Sequence, residues 1–480
     1  MNKIWPSFAT EAAGGYTSGQ LITLGGIKKD GADATNEVTY LLLESARRLL
    51  LHDPPMSLRV HDGTPAKLWD AALETTRACG GVPTFQNDKV IIPALIERGM
   101  SVESARNYCL IGCVEPGGCG DEWPASGGPG QETFWRIPGA VLLAINDGVN
   151  PMPRPDGLPQ RRTGLATGYL YQMESFDQVL EAVKQQVEHF IDWHVAFTSV
   201  RELVARQHMP LPAVSATMDG CLESGKDVMQ GGARYNSTGF AGVGIGTAVD
   251  SLVAIKYMVY DKKVCSAREF YDAVMANWEG YELLRQRILK EIPHYGNDLD
   301  YADDIAAWLS QVITEKVRSC TGPRGNRWAA GFFPVATHVA WGKLTWATPD
   351  GRRTGEPLSD GISPVQGMDR CGPAALLKSA LRIDHRHASN GTLLNMKFHP
   401  KALEGGGNDK LISLIQTYFD LDGMELQFNI ASSDMLREAQ EYPERHRDLV
   451  VRIAGFSAYF VELHKGLQDD VIRRTELELA

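Results

Sequence analysis

Residues 110–116 read LIGCVEP, and residues 451–460, near the other end of the chain, read VRIAGFSAYF. The first stretch places Cys113 two positions before Glu115, between a glycine and a proline. The second places Gly455 inside an otherwise apolar run. Taken separately, such a cysteine is usually a small apolar side chain, and such a glycine a bulge or close packing point. Together they favour a more specific chemistry.

The carboxylate beside Cys113 decides what its thiol can do. A nearby negative charge raises a thiol pKa and disfavours the thiolate, and no obvious Cys–His pair is visible. A neutral thiol can instead give up a hydrogen atom, which leaves Glu115 free for proton transfer. A radical on the α-carbon of Gly455 would be stabilised by the amide nitrogen on one side and the carbonyl on the other. Because glycine has no side chain, this site can lie flat.

Bulk composition bounds the class of protein. The chain has 480 residues, of which 43% are hydrophobic, and a net charge of −11. This length allows roughly two to four domains or one large α/β barrel. The negative charge opposes nucleic acid and anionic membranes as partners. Residues 1–15 contain no apolar signal segment and no apolar run is long enough to span a bilayer, so we expect a cytoplasmic protein with reduced cysteines.

Three weaker motifs favour structural interpretations. Residues 242–246 have the spacing G-x-G-x-G, which misses the dinucleotide pattern G-x-G-x-x-G and indicates a tight packing loop. The C-x3-C-x5-C run that begins at Cys109 misses the C-x3-C-x2-C spacing of an iron–sulfur site and lacks a fourth zinc ligand. His385 and His387 lie on a polar stretch and are interpreted as surface groups. We therefore expect no metal site.

Short β-rich runs alternate with helical periodicity along the chain, which predicts an α/β fold. The pattern predicts helices over residues 36–51, 176–208, 267–292, 433–452 and 459–475. It predicts strands over residues 90–95, 331–339, 393–398 and 424–430. Periodicity alone does not identify a barrel.

The paired motifs resemble those of a known family. Residues 111–116 (IGCVEP) and 451–459 (VRIAGFSAY) resemble the cysteine loop and the radical-glycine loop of the glycyl radical enzymes, the pyruvate formate-lyase-like superfamily. The resemblance is strongest to its dehydratase and eliminase branch. It runs along nearly the whole chain, with further similar stretches at residues 24–37, 85–95, 231–252, 348–364, 427–429 and 443–449.

The resemblance implies a radical mechanism of anaerobic metabolism. A separate S-adenosylmethionine activating enzyme with a 4Fe–4S cluster would take a hydrogen atom from Gly455, so the chain itself would bind no cofactor. The Gly455 radical would take a hydrogen atom from Cys113, and the Cys113 thiyl radical would take one from a small substrate. Glu115 would act as base or acid while a neighbouring group leaves. Cys113 would then return the hydrogen atom to the product.

The resemblance also implies a fold. Members are ten-stranded α/β barrels of two five-stranded halves, surrounded by helices, with the cysteine and glycine loops meeting inside. We expect residues 1–430 to form a partial barrel domain, residues 431–480 to form a glycine radical domain, and the protein to be a homodimer. Family members carry several hundred residues ahead of the position of Met1, so this chain is expected to lack much of the first barrel half and to expose barrel edges.

The type of reaction follows from the cysteine loop. Formate acetyltransferase-type members use two adjacent cysteines, whereas position 112 is glycine here. One cysteine with Glu115 fits 1,2-elimination, such as dehydration of a diol or hydroxyproline, or C–N or C–S cleavage. Decarboxylation of an arylacetate is a rival that uses the same pair. The resemblance places five residues at the substrate: Ser18, Gly19, Trp328, Thr337 and His338. For Thr337 and His338 a structural role is an open alternative.

Two hypotheses of other classes stay open. The chain could be an inactive remnant that only binds ligands or partners, or a thiol enzyme that merely resembles the family. A glycine radical signal would support the radical hypothesis. Rapid alkylation of Cys113 at neutral pH would favour the thiolate.

Overall fold

The computed structural model describes residues 21–124, 132–154 and 156–479. Two predicted substrate contacts, Ser18 and Gly19, lie outside these ranges. The strands are β1 (Ile22–Gly25), β2 (Met56–Val60), β3 (Thr84–Asn87), β4 (Tyr108–Leu110), β5 (Pro116–Gly118), β6 (Glu122–Trp123), β7 (Glu132–Arg136), β8 (Tyr235–Val243), β9 (Arg327–Gly331), β10 (Asn395–Phe398), β11 (Glu425–Ile430), β12 (Val450–Arg452), β13 (Ser457–Tyr459) and β14 (Glu476–Leu477).

The α-helices lie mostly between the strands along the chain. They are α1 (Glu37–Leu49), α2 (Ala66–Ala78), α3 (Asp88–Glu97), α4 (Val102–Arg106), α5 (Pro138–Ile145), α6 (Phe176–His208), α7 (Pro212–Ser215), α8 (Cys221–Ser224), α9 (Ile245–Ile255), α10 (Ala267–Met275), α11 (Glu282–Glu291), α12 (Asp300–Arg318), α13 (Thr337–Gly342), α14 (Pro373–Ala380), α15 (Gly407–Asp420), α16 (Ser433–Glu441) and α17 (Lys465–Arg473).

The strands form two parallel groups that run in opposite directions. β1, β2 and β3 are parallel to one another, and β3 pairs antiparallel with β11. β11, β10 and β14 are parallel. β7 and β9 flank β8, again in parallel, and a parallel bridge from Phe332 to Thr392 joins the end of β9 to the segment before β10. Through this bridge the strands around β8 continue into the six-stranded sheet β14-β10-β11-β3-β2-β1, in which the last three strands run opposite to the first three. Together these strands form one wall.

Two of the buried clusters lie on opposite sides of this wall, since Phe240 belongs to one and Ala241, the next residue of β8, belongs to the other. The larger one packs the wall against the helices and includes Phe85, Phe240 and Trp278. The smaller one contains Cys113 together with Phe333 and the apolar residues on both sides of Gly455. The predicted domain boundary at residue 430 stays a prediction. One strand pair crosses it, because β14 lies within residues 431–480 and pairs with β10.

Several predicted elements are confirmed. The helix predicted over residues 176–208 is α6, and Ser175 caps it by accepting a hydrogen bond from Gln178 N–H. The strands predicted over 393–398 and 424–430 correspond to β10 and β11. The helix predicted over 36–51 is α1, shorter by a residue or two at each end.

Other predicted elements are wrong. The run over 90–95 is part of helix α3, because Asn87 ends β3 and caps the helix by accepting from Lys89 N–H. Within this run, every residue except the half-buried Pro93 is buried, so the sequence is apolar without a polar face. In 331–339, β9 ends at Gly331 and helix α13 begins at Thr337. The helix predicted over 433–452 ends at Glu441 and strand β12 follows.

Two predicted helices are shorter or divided. The helix over 267–292 is two helices, α10 and α11, and the closing helix over 459–475 is confined to α17. Within the described ranges, none of the helices combines the length and apolar character needed to cross a membrane.

Candidate active site

Cys113 and Gly455 each lie at the tip of a β-hairpin. In the first hairpin β4 pairs antiparallel with β5, and Ile111 N–H closes the loop by donating to the Glu115 carbonyl at 2.9 Å. In the second, β12 pairs antiparallel with β13, and Ile453 N–H donates at 2.9 Å to the carbonyl three residues on. Gly455 is the third residue of this turn, and its φ of +87° is the conformation that a type II turn requires there.

The two hairpin tips are in direct contact. A Cβ placed on Gly455 would lie 2.0 Å from the Cβ of Cys113 and 2.6 Å from its Sγ. Because a carbon–carbon bond is about 1.5 Å long, the Cα of Gly455 lies within about 4 Å of that sulfur. The α-hydrogen in the L-side-chain position points at Cys113, and both residues are buried. This geometry allows a hydrogen atom to pass directly between them.

Glu115 folds back over its own loop. Its Oε2 accepts the Val114 N–H at 2.5 Å, and the side chain is only 4% exposed. A Cβ on Gly112 would lie 2.6 Å from Oε1 of Glu115. A second cysteine at position 112 would therefore collide with the carboxylate in this arrangement.

Burial and charge keep the Cys113 thiol protonated. Burial is the main cause and the Glu115 carboxylate the second, and together they raise the pKa of Cys113 well above its ordinary value. Glu132 and Glu425 act in the same direction, while the Arg452 guanidinium acts against them. A neutral thiol was expected from the neighbouring carboxylate, and the structure agrees.

Polar side chains on β11 hold the glycine hairpin. Gln427 Oε1 accepts the Gly455 N–H at 3.2 Å and the Arg452 Nε–H at 2.6 Å. Asn429 accepts from Arg452 N–H and donates to the Arg452 carbonyl, each at 2.7 Å. Arg452, the last residue of the strand that leads into the Gly455 turn, is thus held through both its main chain and its side chain.

A second anchor holds the Ile453 carbonyl, two residues before Gly455. It accepts from Asn395 Nδ2 at 3.0 Å and from Arg474 at 2.7 Å. Arg474 also contacts Asp470, which in turn bonds His338 Nε2 at 3.2 Å. Burial acts to raise the pKa of Asp470, but His338 and Arg474 lower it to about 2.

Successive residues of strand β7 face opposite sides of the wall, and one of those sides is the side of Cys113. Thr133 faces helix α6 and hydrogen-bonds it, whereas Phe134 packs against the cluster that contains Cys113. Because side chains alternate along a strand, Glu132 shares the inward face with Phe134. The fully buried Asn390 donates to Glu132 Oε1 at 3.1 Å. A second carboxylate therefore lies on the Cys113 side of the wall.

The predicted substrate contacts lie in different surroundings. Trp328 is 2% exposed and packs in the larger cluster, outside the one that contains Cys113. Thr337 Oγ1 donates to the Pro334 carbonyl at 2.7 Å. His338 is fully buried against Asp470. Contact of any of these with a substrate stays a prediction.

The weaker motifs have structural roles. Gly244, at φ +85°, forms the turn from β8 into α9, and a Cβ on Gly246 would lie 2.5 Å from the Ser363 carbonyl, as a tight packing loop requires. The interpretation of His385 as a surface group is wrong. Its ring is buried and bonds Thr392 Oγ1 at 2.8 Å and the Ala380 carbonyl at 3.0 Å.

Sequence reasoning assigned no role to Gln427, Asn429, Arg452 and Glu132, although residues 427–429 and 451–459 carry part of the family resemblance. The signal for the first two was present, because Glu425, Gln427 and Asn429 alternate with apolar residues in a strand where every position before Ile430 is buried. A buried strand with one polar face needs partners for that face. Glu132 follows residues 125–131, for which the sequence offered no pattern.

Comparison with known proteins agrees with this geometry. The family model described as Pyruvate formate lyase-like matches residues 1–342, and the Glycine radical model matches residues 358–461. The trans-4-hydroxy-L-proline dehydratase of Clostridioides difficile is 37% identical over 462 residues, covering 96% of this chain and 57% of the relative. The (2S)-3-sulfopropanediol dehydratase of Klebsiella oxytoca is 38% identical over 465 residues, covering 96% and 55%.

A solved structure confirms the fold class. The glycerol-bound form of the B12-independent glycerol dehydratase from Clostridium butyricum superimposes with a TM-score of 0.91 at 39% identity, covering 97% of this chain and 57% of that one. The chain thus spans little more than half the length of the relatives it matches. The fold is that of part of the α/β barrel, with surrounding helices, as the resemblance implied. The chain belongs to the pyruvate formate lyase-like family of glycyl radical enzymes.

Proposed function

We propose that the chain performs radical 1,2-elimination on a small oxygenated substrate, as a dehydratase or a related C–O, C–N or C–S lyase. The observation that supports this most strongly is the contact between Gly455 and Cys113, with the Cys113 Sγ 2.6 Å from the Cβ position of the glycine. The names of the relatives, a hydroxyproline dehydratase and a sulfopropanediol dehydratase, support the same class of reaction.

The proposed steps use only three residues. Gly455, once it has lost a hydrogen atom, takes the hydrogen atom of the Cys113 thiol, and the Cys113 thiyl radical takes one from a substrate carbon that bears a hydroxyl or an amino group. Glu115 accepts the O–H or N–H proton of that group and delivers a proton to the leaving group on the adjacent carbon, which departs with both electrons of its bond. The resulting product radical recovers a hydrogen atom from Cys113. The net change is the loss of water, an amine or sulfite and the formation of a carbonyl or an imine.

The surroundings of these residues suit radical chemistry. Cys113 is 1% exposed and Glu115 is 4% exposed, so bulk water is excluded from the atoms that would carry the radical. The raised pKa of Cys113 keeps a hydrogen atom on sulfur for transfer. The clash that a side chain at Gly112 would make with Glu115 disfavours the two-cysteine chemistry of formate C-acetyltransferase.

Partners follow from the proposed steps. A separate activating enzyme, which we propose uses S-adenosylmethionine and a 4Fe–4S cluster, would take the hydrogen atom from Gly455. A homodimer is proposed from the family resemblance alone.

The test uses the 480-residue protein incubated without oxygen with a radical S-adenosylmethionine activating enzyme. A vicinal diol, a hydroxylated amino acid, a hydroxyalkylsulfonate and an arylacetate are offered as substrates, and electron paramagnetic resonance is recorded alongside product analysis. We expect an organic radical doublet and an elimination product from at least one of the first three compounds. Cys113→Ala and Glu115→Gln should keep the radical and lose the product.

Three results would contradict the proposal. A product formed equally well by Cys113→Ala would exclude the thiyl step. No radical in this protein, under conditions where a full-length relative acquires one, would favour the inactive remnant. Conversion of the arylacetate alone would favour the decarboxylase.

A further inference from the structure

The Gly455 N–H has a dedicated partner that the proposed steps do not use. Gln427 lies on β11, is 0% exposed, and accepts that N–H through Oε1 at 3.2 Å. The amide nitrogen of Gln427 has no partner among the described residues. The side chain is therefore held in place through its oxygen alone.

Arg452 fixes that oxygen from the other side. Its Nε–H donates to the same Gln427 Oε1 at 2.6 Å, and its guanidinium is fully buried. The main chain of Arg452 is itself held by Asn429 at both its N–H and its carbonyl. Arg474 makes a third bond, to the Arg452 carbonyl at 3.1 Å. The acceptor for the Gly455 N–H is thus oriented by a rigid set of buried hydrogen bonds.

The Gly455 N–H bond bears on the chemistry of a glycine α-carbon. A radical there delocalises onto the adjacent nitrogen only when the peptide plane is aligned with the half-filled orbital. An acceptor on the N–H fixes that plane, and it increases the electron density that the nitrogen can donate. Glycine has the greatest backbone freedom of any residue, so without this bond both the plane and the direction of the α-hydrogen would vary.

We propose that Gln427 is a positioning residue, which holds the Gly455 peptide plane so that its α-hydrogen faces Cys113 and its radical is delocalised onto the amide nitrogen. The inference rests on the proposed function for its radical step. It assigns Arg452 the role of orienting the Gln427 oxygen, and it does not require either side chain to touch the substrate.

The test compares three variants of the 480-residue protein. Gln427→Leu removes the acceptor, while Gln427→Glu keeps an oxygen that can accept from both Gly455 and Arg452. Gln186→Leu is the matched control. Gln186 lies on helix α6, is also fully buried, and accepts a main-chain N–H, that of Leu165, at 3.1 Å. Circular dichroism establishes that each variant is folded.

The first measurement needs no radical. Hydrogen–deuterium exchange of the peptide that contains Gly455 is followed by mass spectrometry in the resting protein. We expect exchange at least tenfold faster in Gln427→Leu, and a rate within twofold of the parent in Gln427→Glu and Gln186→Leu. Equal protection in Gln427→Leu and the parent would overturn the proposed contact.

The second measurement uses the activated protein. Electron–nuclear double resonance reports the coupling of the exchangeable amide proton of Gly455, which is sensitive to its hydrogen bond and to spin on the nitrogen. We expect the coupling to shift in Gln427→Leu and to stay unchanged in Gln427→Glu and Gln186→Leu. An unchanged coupling in Gln427→Leu, or an equal shift in Gln427→Glu, would overturn the inference.

The two arms separate the inference from the function on which it rests. If the parent itself acquires no radical, the proposed function fails. The exchange measurement alone then tests the hydrogen bond between Gly455 and Gln427. If the parent acquires the radical and Gln427→Leu behaves as the parent in both measurements, the function stands and the role of Gln427 is excluded.

Discussion

A Cβ on Gly455 would lie 2.0 Å from the Cβ of Cys113, closer than non-bonded carbon atoms can approach. The backbone of Gly455, at φ +87°, independently disfavours any side chain. Residue 455 must therefore be glycine for two separate reasons, the turn that it forms and the cysteine that it touches. The same two features place its α-hydrogen against the Cys113 thiol.

Replacing Gly455 by alanine should destabilise the protein by more than its backbone conformation explains. The left-handed backbone costs about 1–2 kcal/mol for a residue with a Cβ, and forcing a methyl group into Cys113 adds roughly 1–3 kcal/mol. Gly406→Ala is the matched control, because Gly406 has a left-handed backbone with a φ of +90° and no atom within 4 Å of its Cβ position. Denaturant unfolding measures the free energy of unfolding of both variants. Equal losses of stability in the two would contradict the close contact between Gly455 and Cys113.

Thiol alkylation should distinguish Cys119 from Cys113. A hydrogen bond from Cys109 lowers the pKa of the exposed Cys119 thiol to about 6, with help from Lys29 and Arg59. Iodoacetamide at pH 7 should therefore modify Cys119 first and Cys113 on the order of 100-fold more slowly, because Cys113 is buried and its pKa is raised. Mass spectrometry of digested samples gives the order.

The pH dependence of this labelling is a further check. As the pH falls below about 6, labelling of Cys119 should slow by about tenfold per unit, since only the thiolate reacts. Rapid labelling of Cys113 at neutral pH would contradict a neutral thiol and favour the thiolate hypothesis.

Asp470 should make stability depend on pH at the acid end. His338 and Arg474 lower its pKa to about 2 against an unperturbed 3.8. Because the folded-state pKa is the lower one, ionised Asp470 stabilises the folded protein, and this stabilisation is complete above about pH 4. It is lost as the pH falls towards 2, a change of about 2 kcal/mol in the free energy of unfolding. Guanidinium unfolding from pH 5 to pH 2 should show a flatter profile in Asp470→Asn than in the parent. The exposed Asp434→Asn should follow the parent, and an identical slope in Asp470→Asn would exclude this role.

A methyl group at position 112 should separate radical formation from turnover. Gly112→Ala places a Cβ 2.6 Å from Oε1 of Glu115, so the carboxylate must move. We expect the radical yield of the activated protein to be unchanged and product formation to fall by roughly the 100-fold or more that a displaced acid–base group costs. Gly139→Ala, with its nearest neighbour at 3.5 Å, is the control. Unchanged turnover in Gly112→Ala would argue against Glu115 as the proton carrier.

The sequence identified the reacting residues better than it identified the elements around them. Cys113 and Gly455 were recognisable because their neighbours are specific, and the structure brings them together from opposite ends of the chain. The apolar run over 90–95 carried no such information, since a buried stretch of helix has the same composition as a buried strand. The length of the run did not distinguish a helix from a strand either. The helix begins here because Asn87 caps it.

The supporting residues depended on contacts across the fold. Gln427 and Asn429 lie in a stretch that resembles the family, but no local pattern identifies their partner Arg452, which lies in a segment predicted to be helical. Helix α16 ends at Glu441, and the proline two residues later prevents it from continuing. The residues around Arg452 instead form strand β12. Strand pairing between residues far apart in sequence determines this arrangement, and no local pattern encodes it.

The central claim is that a hydrogen atom passes directly between Gly455 and Cys113. The activated protein transferred into D2O tests it, because transient opening of the buried site lets the Cys113 thiol exchange its proton for deuterium. Cys113 can then deliver that deuterium to the glycine α-carbon. Electron paramagnetic resonance should show the α-hydrogen doublet collapse in the parent and in Cys221→Ala, which removes a buried thiol of another cluster. The doublet should persist in Cys113→Ala. Persistence in the parent, or an equal collapse in Cys113→Ala, would contradict the account.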